Sequence, residues 1–369
     1  LKEVEMDGID SPTVEDVDTR DAHNAFDYKD SDSSDTSDDF MVTGLRSGKV
    51  LLVGESMGLF AAGKEGPCSQ VGAFSASVAG AELNVAIGLK RLGQNPTYMT
   101  RIGDDPLGER VRLFMEENHL STHLVSVDSS RHTGFMLKSK VMQGDPQTYY
   151  FRKGSAASAL SAQDIFGIDL SDVSVLHLTG ILPPLSSSTM EATDSLVARA
   201  EFNKVFISFD PNLRPALWSS ERRMHSVLKR LSKRADLVMP GITEGEAIFG
   251  YTHPEDIGKA FIENGARYVV VKDGPRGAWA TNGSRGFYIP GFVVDSVVDT
   301  VGAGDGFAAG LLAALLDGKP MSVAVTQACA VGAVQTQSTS DNQGLPTHEQ
   351  LGEFERTHAR ARRREPALV

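Results

Sequence analysis

The chain is 369 residues long with a net charge of −12, enough length for one large domain or two smaller ones with a substantial core. The charge sits almost wholly in residues 1–40, which hold 14 Asp/Glu against 3 Lys/Arg and leave the remainder near −1. A near-neutral body excludes the basic surplus that nucleic-acid binding needs. Two cysteines, Cys68 and Cys329, lie far apart without CxxC spacing, which excludes a disulfide framework or zinc site and predicts a reducing, cytoplasmic setting. No apolar run reaches the length of a membrane span.

Residues 1–47 are predicted to be a disordered acidic segment: "DSDSSDTSDD" has too few aliphatics to offset the entropy of ordering it. Met41 stands just before the globular pattern, which predicts a native start there, with an authentic acidic tail as the alternative. From Lys49 the texture changes. "KVLLVGES" is a buried-strand run, and Leu83, Ala86, Ile87, Leu89 and Leu92 predict a helix over 81–93. "PTYMTRIG" predicts a strand and "DPLGERVRLFMEENHL" an amphipathic helix. "VSVLHLTG", "KVFISFDPN", "ADLVMPG" and "YVVVKDG" are further apolar runs ending in turn signals, separated by helical stretches such as "PEDIGKAFIENG". This alternation predicts an α/β fold of three layers around a mainly parallel sheet, with ligands outside the carboxyl ends of its strands. Residues 59–80 and 133–152 break the alternation and predict a small β-lid, the second with a Gly-Asp-Pro turn. Residues 351–369, with Arg360, Arg362, Arg363 and Arg364, predict a basic C-terminal helix or tail outside a domain spanning 48–350.

Two motifs are decoys. "GLFAAGKE" has P-loop spacing until Glu65 replaces the hydroxyl residue, and "GDGFAA" lacks the acidic residue expected about 20 positions later in a dinucleotide fold. "DTVGAGDGFAAG" (299–310) is more informative. Small residues at Gly302, Ala303 and Gly304 let backbone N–H groups converge at a helix start, an arrangement that holds phosphate. Asp305 would repel a phosphate if it were a ligand, so it fits a base that accepts a hydroxyl proton; a plain N-cap carboxylate explains it as well.

"DTVGAGDGFAAGLL" resembles the C-terminal signature of the ribokinase-like carbohydrate kinases, and "AGAELNVAIGLKRLG", "RIGDDPLGE", "VKDGPRGA" and "DNQGLPT" extend the resemblance over 48–350. Within that family "GES", "YYFRKGSAAS", "FDPNLRPALW" and "PGITEG" are most similar to 2-keto-3-deoxygluconate kinases. The resemblance implies ATP and Mg²⁺ as cofactors, Asp305 as base, and an anion hole at 302–304. It implies substrate contacts from Gly80, Asn84, Tyr150, Arg152, Arg214, Asp305 and Asp341. Two arginines suit a carboxylate-bearing sugar, although each alone also fits a surface ion pair. ATP contacts fall on Lys272, Gly274, Gly277, Gly302, Gly304 and Cys329, where a strand-exit turn and a small buried residue are the plainer explanations. Glu244 could order magnesium through water, or simply sit at a helix N-terminus. Ala79 in place of the first hinge glycine and Met136 in place of an aromatic depart from the pattern. The expected function is phosphorylation of the terminal hydroxyl of a sugar acid, by a homodimer joined through the lid. A neutral-sugar kinase such as a fructokinase, and a non-catalytic sugar sensor, are the alternatives.

Overall fold

The computed structural model describes residues 38–141 and 147–361. The acidic run 1–37, the hairpin's Gly-Asp-Pro turn and Arg362, Arg363 and Arg364 lie outside the described residues. In chain order the elements are β1 (Lys49–Val53), β2 (Met57–Glu65), β3 (Phe74–Ala79), α1 (Ala81–Arg91), β4 (Pro96–Gly103), α2 (Pro106–Glu117), β5 (Val125–Asp128), β6 (Phe135–Lys140) and β7 (Thr148–Phe151). They continue with α3 (Ala162–Phe166), β8 (Val173–Thr179), α4 (Ser187–Phe202), β9 (Phe206–Asp210), α5 (Glu221–Arg234), β10 (Leu237–Val238), α6 (Ile242–Phe249) and α7 (Pro254–Asn264). The chain closes with β11 (Tyr268–Lys272), β12 (Gly277–Thr281), β13 (Gly286–Pro290), α8 (Ala303–Leu316), α9 (Met321–Gln335) and α10 (His348–Thr357).

Nine strands form one sheet in the order β13-β12-β11-β10-β9-β8-β1-β4-β5. Pairing is parallel from β11 to β5, and the β11–β12–β13 edge is antiparallel. Helices cover both faces, which is why the strands read as continuous apolar runs. Neighbouring Leu51 and Leu52 point to opposite faces: Leu52 joins Leu83, Leu311 and Val325 on one side, Leu51 joins Leu178, Leu196 and Leu228 on the other. Helix ends are set locally. Asp105 caps α2 by accepting from Leu107 N and Gly108 N, and Pro106 supplies its preorganised first residue.

The lid is a second sheet, β3-β2-β6-β7, in which two antiparallel hairpins join through the parallel β2–β6 pair. Its own apolar core is small: Met57, Leu59, Ala79 and Met136. The P-loop look-alike lies inside β2 and the dinucleotide look-alike inside α8, so neither forms a phosphate loop after a strand.

Two expected boundaries move. Phe40, assigned to the acidic segment, is buried, stacks on Tyr268 and contacts Phe287, while the Asp39 carboxylate accepts from Ser322 N and Oγ. The body therefore begins before residue 48, and a chain starting at Met41 would lose that anchor. At the other end α10 buries Leu351 and Phe354, with Phe354 against Phe292, and Arg360 sits over the Phe292 ring. Residues 351–361 thus pack on the body rather than forming a separate tail.

Candidate active site

A cleft of about 490 Å³ opens at the carboxyl ends of the central strands, with β6 and β7 of the lid on its other side. Strand exits deliver Glu55 after β1, Asp210, Asn212 and Arg214 from β9, Glu244 after β10 and Lys272 at the end of β11. The starts of α1 and α8 deliver Asn84 and Asp305. This is the position that the parallel topology predicts for a ligand.

Asp305 lies in the first turn of α8 and accepts from Asn84 Nδ2 at 2.8 Å. Asn84 Oδ1 in turn accepts from Asn342 Nδ2 at 2.9 Å, which turns the Asn84 amide so that its N–H₂ faces Asp305. Burial pushes the Asp305 carboxyl up to about 7 against the Asn84 hydrogen bond; the Asp210 carboxylate adds to the rise and Arg214 opposes it. A carboxylate with a pKa near neutrality is suited to take a hydroxyl proton and release it again.

Gly302 opens α8 with φ of 81°, and a Cβ there would stand 2.1 Å from the Asp341 carbonyl oxygen. Only glycine fits such a contact in that conformation. The Ala303 N–H donates back to Thr300 O at 3.2 Å. This narrows the expected anion hole: the Ala303 amide is occupied, while the Gly302, Gly304 and Asp305 amides have no acceptor among the described residues. Lys272 Nζ lies 3.8 Å from where a Gly304 Cβ would be, and 2.5 Å from Asp210 Oδ2. Burial disfavours that ammonium, but Asp210 and Glu244 outweigh it and hold its pKa above the usual value. Lys272 thus places a permanent cation beside the turn. Glu244 accepts from Leu213 N at 3.1 Å and from Gly241 N; burial, reinforced by Asp210, raises its pKa in spite of Lys272.

The two candidate carboxylate binders differ. Arg152 is buried and bound to Glu55, its Nε donating to Oε2 at 2.6 Å, while Ser155 Oγ donates to Glu55 Oε1 at 2.5 Å. Arg214 is exposed and, among the described residues, donates only to Leu213 O, leaving most of its guanidinium open to the cleft. Tyr150 is also exposed, with Arg152 5.7 Å from its ring centroid. Gly80 lets the start of α1 approach the Glu55 carbonyl, which would lie 2.7 Å from an added Cβ.

The structure divides the residues that the sequence placed in one site. Gly80, Asn84, Tyr150, Arg152, Arg214, Glu244, Lys272, Gly302, Gly304, Asp305 and Asp341 line the cleft. Gly274 and Gly277 instead bound the turn between β11 and β12, where Asp273 N donates to Gly277 O, and Cys329 is buried in α9 with its thiol pushed up to about 12 by burial. Sequence reasoning passed over Glu55, Glu82, Lys138, Asp210 and Asn342. Glu82 is buried, accepts from Thr179 Oγ1 at 2.6 Å and is raised to about 7 by burial. Asp210 and Asn342 sit inside stretches already singled out, "FDPNLR" and "DNQGLPT", four residues from Arg214 and next to Asp341, so a carboxylate or amide in the same stretch as a named residue was the available signal.

A family model described as pfkB family carbohydrate kinase matches residues 47–348. The chain is 40% identical over 302 residues to a 2-dehydro-3-deoxygluconokinase of Bacillus subtilis (strain 168), covering 82% of this chain and 93% of the relative. It is 31% identical to a fructokinase of Vibrio alginolyticus, covering 74% and 90%. The crystal structure of a PfkB protein from Polaromonas sp. JS666 superimposes with a TM-score of 0.75 at 38% identity, covering 83% and 99%. The fold expected from the motifs is thereby found, and the chain belongs to the pfkB family of carbohydrate kinases.

Proposed function

We propose that the protein transfers the γ-phosphoryl group of ATP to the terminal hydroxyl of a sugar acid, 2-keto-3-deoxygluconate. The observation that carries the substrate class is Arg214, an open guanidinium in the same cleft as Asp305. A carboxylate on the substrate satisfies that fork bidentately, whereas a neutral hexose leaves it unmatched. The likeness to the Bacillus subtilis enzyme supports the same reading.

In the reaction the sugar hydroxyl gives its proton to the Asp305 carboxylate as its oxygen bonds to the γ-phosphorus. The bond from that phosphorus to the bridging oxygen breaks, and ADP leaves with the electron pair. The Gly302, Gly304 and Asp305 amides and the positive end of α8 stabilise charge on the transferring group, and Lys272 holds its cation beside them. Magnesium supplies neutralisation of the phosphate charge when bound with the nucleotide. The donor set fits it only loosely. Among the described residues no group of three or more acidic or imidazole ligands converges, and Glu244, with Asp210 nearby, would hold the ion through water while phosphates complete the shell. The lid excludes water from the cleft.

In this reading the enzyme is a cytoplasmic homodimer. Both cysteines are free, as suits a reducing compartment, and β7 is an edge strand with Tyr149, Tyr150 and Phe151 exposed, which a second lid would cover. The second reading, a fructokinase, is favoured by one observation: Glu55 neutralises Arg152 and leaves a single open arginine. Initial rates with ATP and magnesium on 2-keto-3-deoxygluconate, fructose and ribose test the proposal. The sugar acid is expected to be preferred, and preference for fructose would overturn it.

A further inference from the structure

Lys138 is a residue of lid strand β6, yet its ammonium lies in the body. Nζ stands 2.5 Å from Asp299 Oδ2 and 3.1 Å from Asp341 Oδ1, and all three side chains are nearly buried, the most exposed at 11%. Burial disfavours the ammonium, but the two carboxylates outweigh it and keep it charged. Among the described residues the lid is tied to the body by two ion-paired sites, this one and Arg152–Glu55.

The two carboxylates belong to the two loops that build the catalytic turn. Asp299 starts the segment leading into Gly302 and orders it by accepting from Val301 N through Oδ1 at 3.0 Å. The Asp341 carbonyl is the atom that Gly302 abuts, and the next residue, Asn342, aims Asn84 at Asp305. Without a cation between them, Asp299 and Asp341 are two buried like charges that repel, a costly arrangement. One lysine on a lid with only a four-residue apolar core of its own therefore clamps both loops.

We propose that Lys138 is a positioning residue that couples lid closure to assembly of the phosphoryl-transfer turn: its ammonium draws Asp299 and Asp341 together when the lid is shut, and releases them when the lid lifts. The consequence is that the Gly304 and Asp305 amides and the Asp305 carboxylate reach working geometry only under a shut lid, which restrains wasteful transfer to water in an open cleft. The inference rests on the proposed kinase reading for that consequence, but the clamp itself is independent of which sugar is bound.

The test uses the full chain with Lys138→Met, Lys138→Arg and the double variant Lys138→Met/Asp299→Asn. The double variant restores the net charge of the wild-type cluster but not the clamp, so it separates geometry from loss of folding. Amide hydrogen exchange across 299–305 and 340–345, in unliganded protein, reads the clamp whatever the substrate. Both methionine variants should exchange faster there than wild type while exchange in the core strands stays unchanged, and the arginine variant should be close to wild type. Steady-state rates on whichever sugar the wild type phosphorylates should show kcat falling on the order of 30- to 100-fold in both methionine variants, with the sugar KM changed far less. Unchanged exchange at 299–305, or wild-type kcat in the folded double variant, overturns the proposal. A wild type that phosphorylates no sugar refutes the kinase reading instead, and leaves the exchange experiment to decide the clamp.

Discussion

The nine-stranded sheet and the lid sheet are built on opposite terms. Strands β1, β8 and β9 are buried on both faces, between two apolar clusters and covering helices. The lid has one small cluster, an exposed aromatic edge, and polar attachments to the body through Lys138 and Arg152. Apolar burial is non-directional and hard to reverse piecemeal, whereas an ion pair has one geometry and can be opened by a local motion. The body is thus built as a rigid platform and the lid as an adjustable wall, with Asp305 and Lys272 on the platform and the cleft lined from both.

Asp305→Asn should produce the largest effect, because it removes the proposed base from the rigid side. We expect kcat to fall about 10³-fold while the affinity for an ATP analogue, measured by calorimetry, is retained. Near-normal turnover would remove Asp305 from the base role. Leu228→Ala, in the fully buried body, should cost about 2–5 kcal/mol of global stability in urea unfolding. Met136→Ala in the lid core should cost less than that and should raise the sugar KM; equal losses at the two sites would erase the contrast between the sheets.

Arg214→Ala is expected to lower kcat/KM for a sugar acid by about 10- to 100-fold, the worth of one charge-assisted contact, and to spare a neutral sugar. It carries a second signature. Arg214 opposes the rise of the Asp305 pKa, so its loss should move the acidic limb of the pH–rate profile to higher pH. Wild-type kcat/KM should climb with pH and level off above about 7. The smallest effect is on stability. The Asp305 folded pKa, about 7, lies above its ordinary value of 3.8, so its protonated form stabilises the fold at low pH and that contribution is lost as pH rises through 7. Asp305→Asn should therefore gain in Tm relative to wild type between pH 5 and pH 8, and an unchanged difference would contradict a buried, raised carboxyl. Arg152→Ala is a poor probe of specificity, since it leaves Glu55 buried and unpaired and should destabilise the protein by about 3–5 kcal/mol.

How far the site was legible follows from sequence distance. Asp305, Gly302 and Gly304 share one contiguous motif, and strand ends followed by Asp, Glu or Lys mark the ligand edge of a parallel sheet, so both could be read along the chain. The pairings that tune the site join residues 62 apart for Lys272–Asp210, 97 apart for Arg152–Glu55 and 161 apart for Lys138–Asp299. No periodicity in a single sequence encodes such partners, and so Arg152 was expected open and is found neutralised. Phe40 was misplaced for the same reason, because its partner Tyr268 lies at the far side of the chain. The antiparallel β12–β13 edge was different: Asn282-Gly283 between two apolar runs is a hairpin signal that lies outside the alternation of strands and helices.

The proposed basis of sugar-acid phosphorylation is an open Arg214 in the same cleft as a neutral-range Asp305. The most direct measurement is the ratio of kcat/KM for 2-keto-3-deoxygluconate to that for fructose, with both sugars competing for the wild-type enzyme and ATP. The expected ratio is about 30 or more, falling toward one in Arg214→Ala. A wild-type ratio at or below one, or a ratio that Arg214→Ala leaves unchanged, would contradict it.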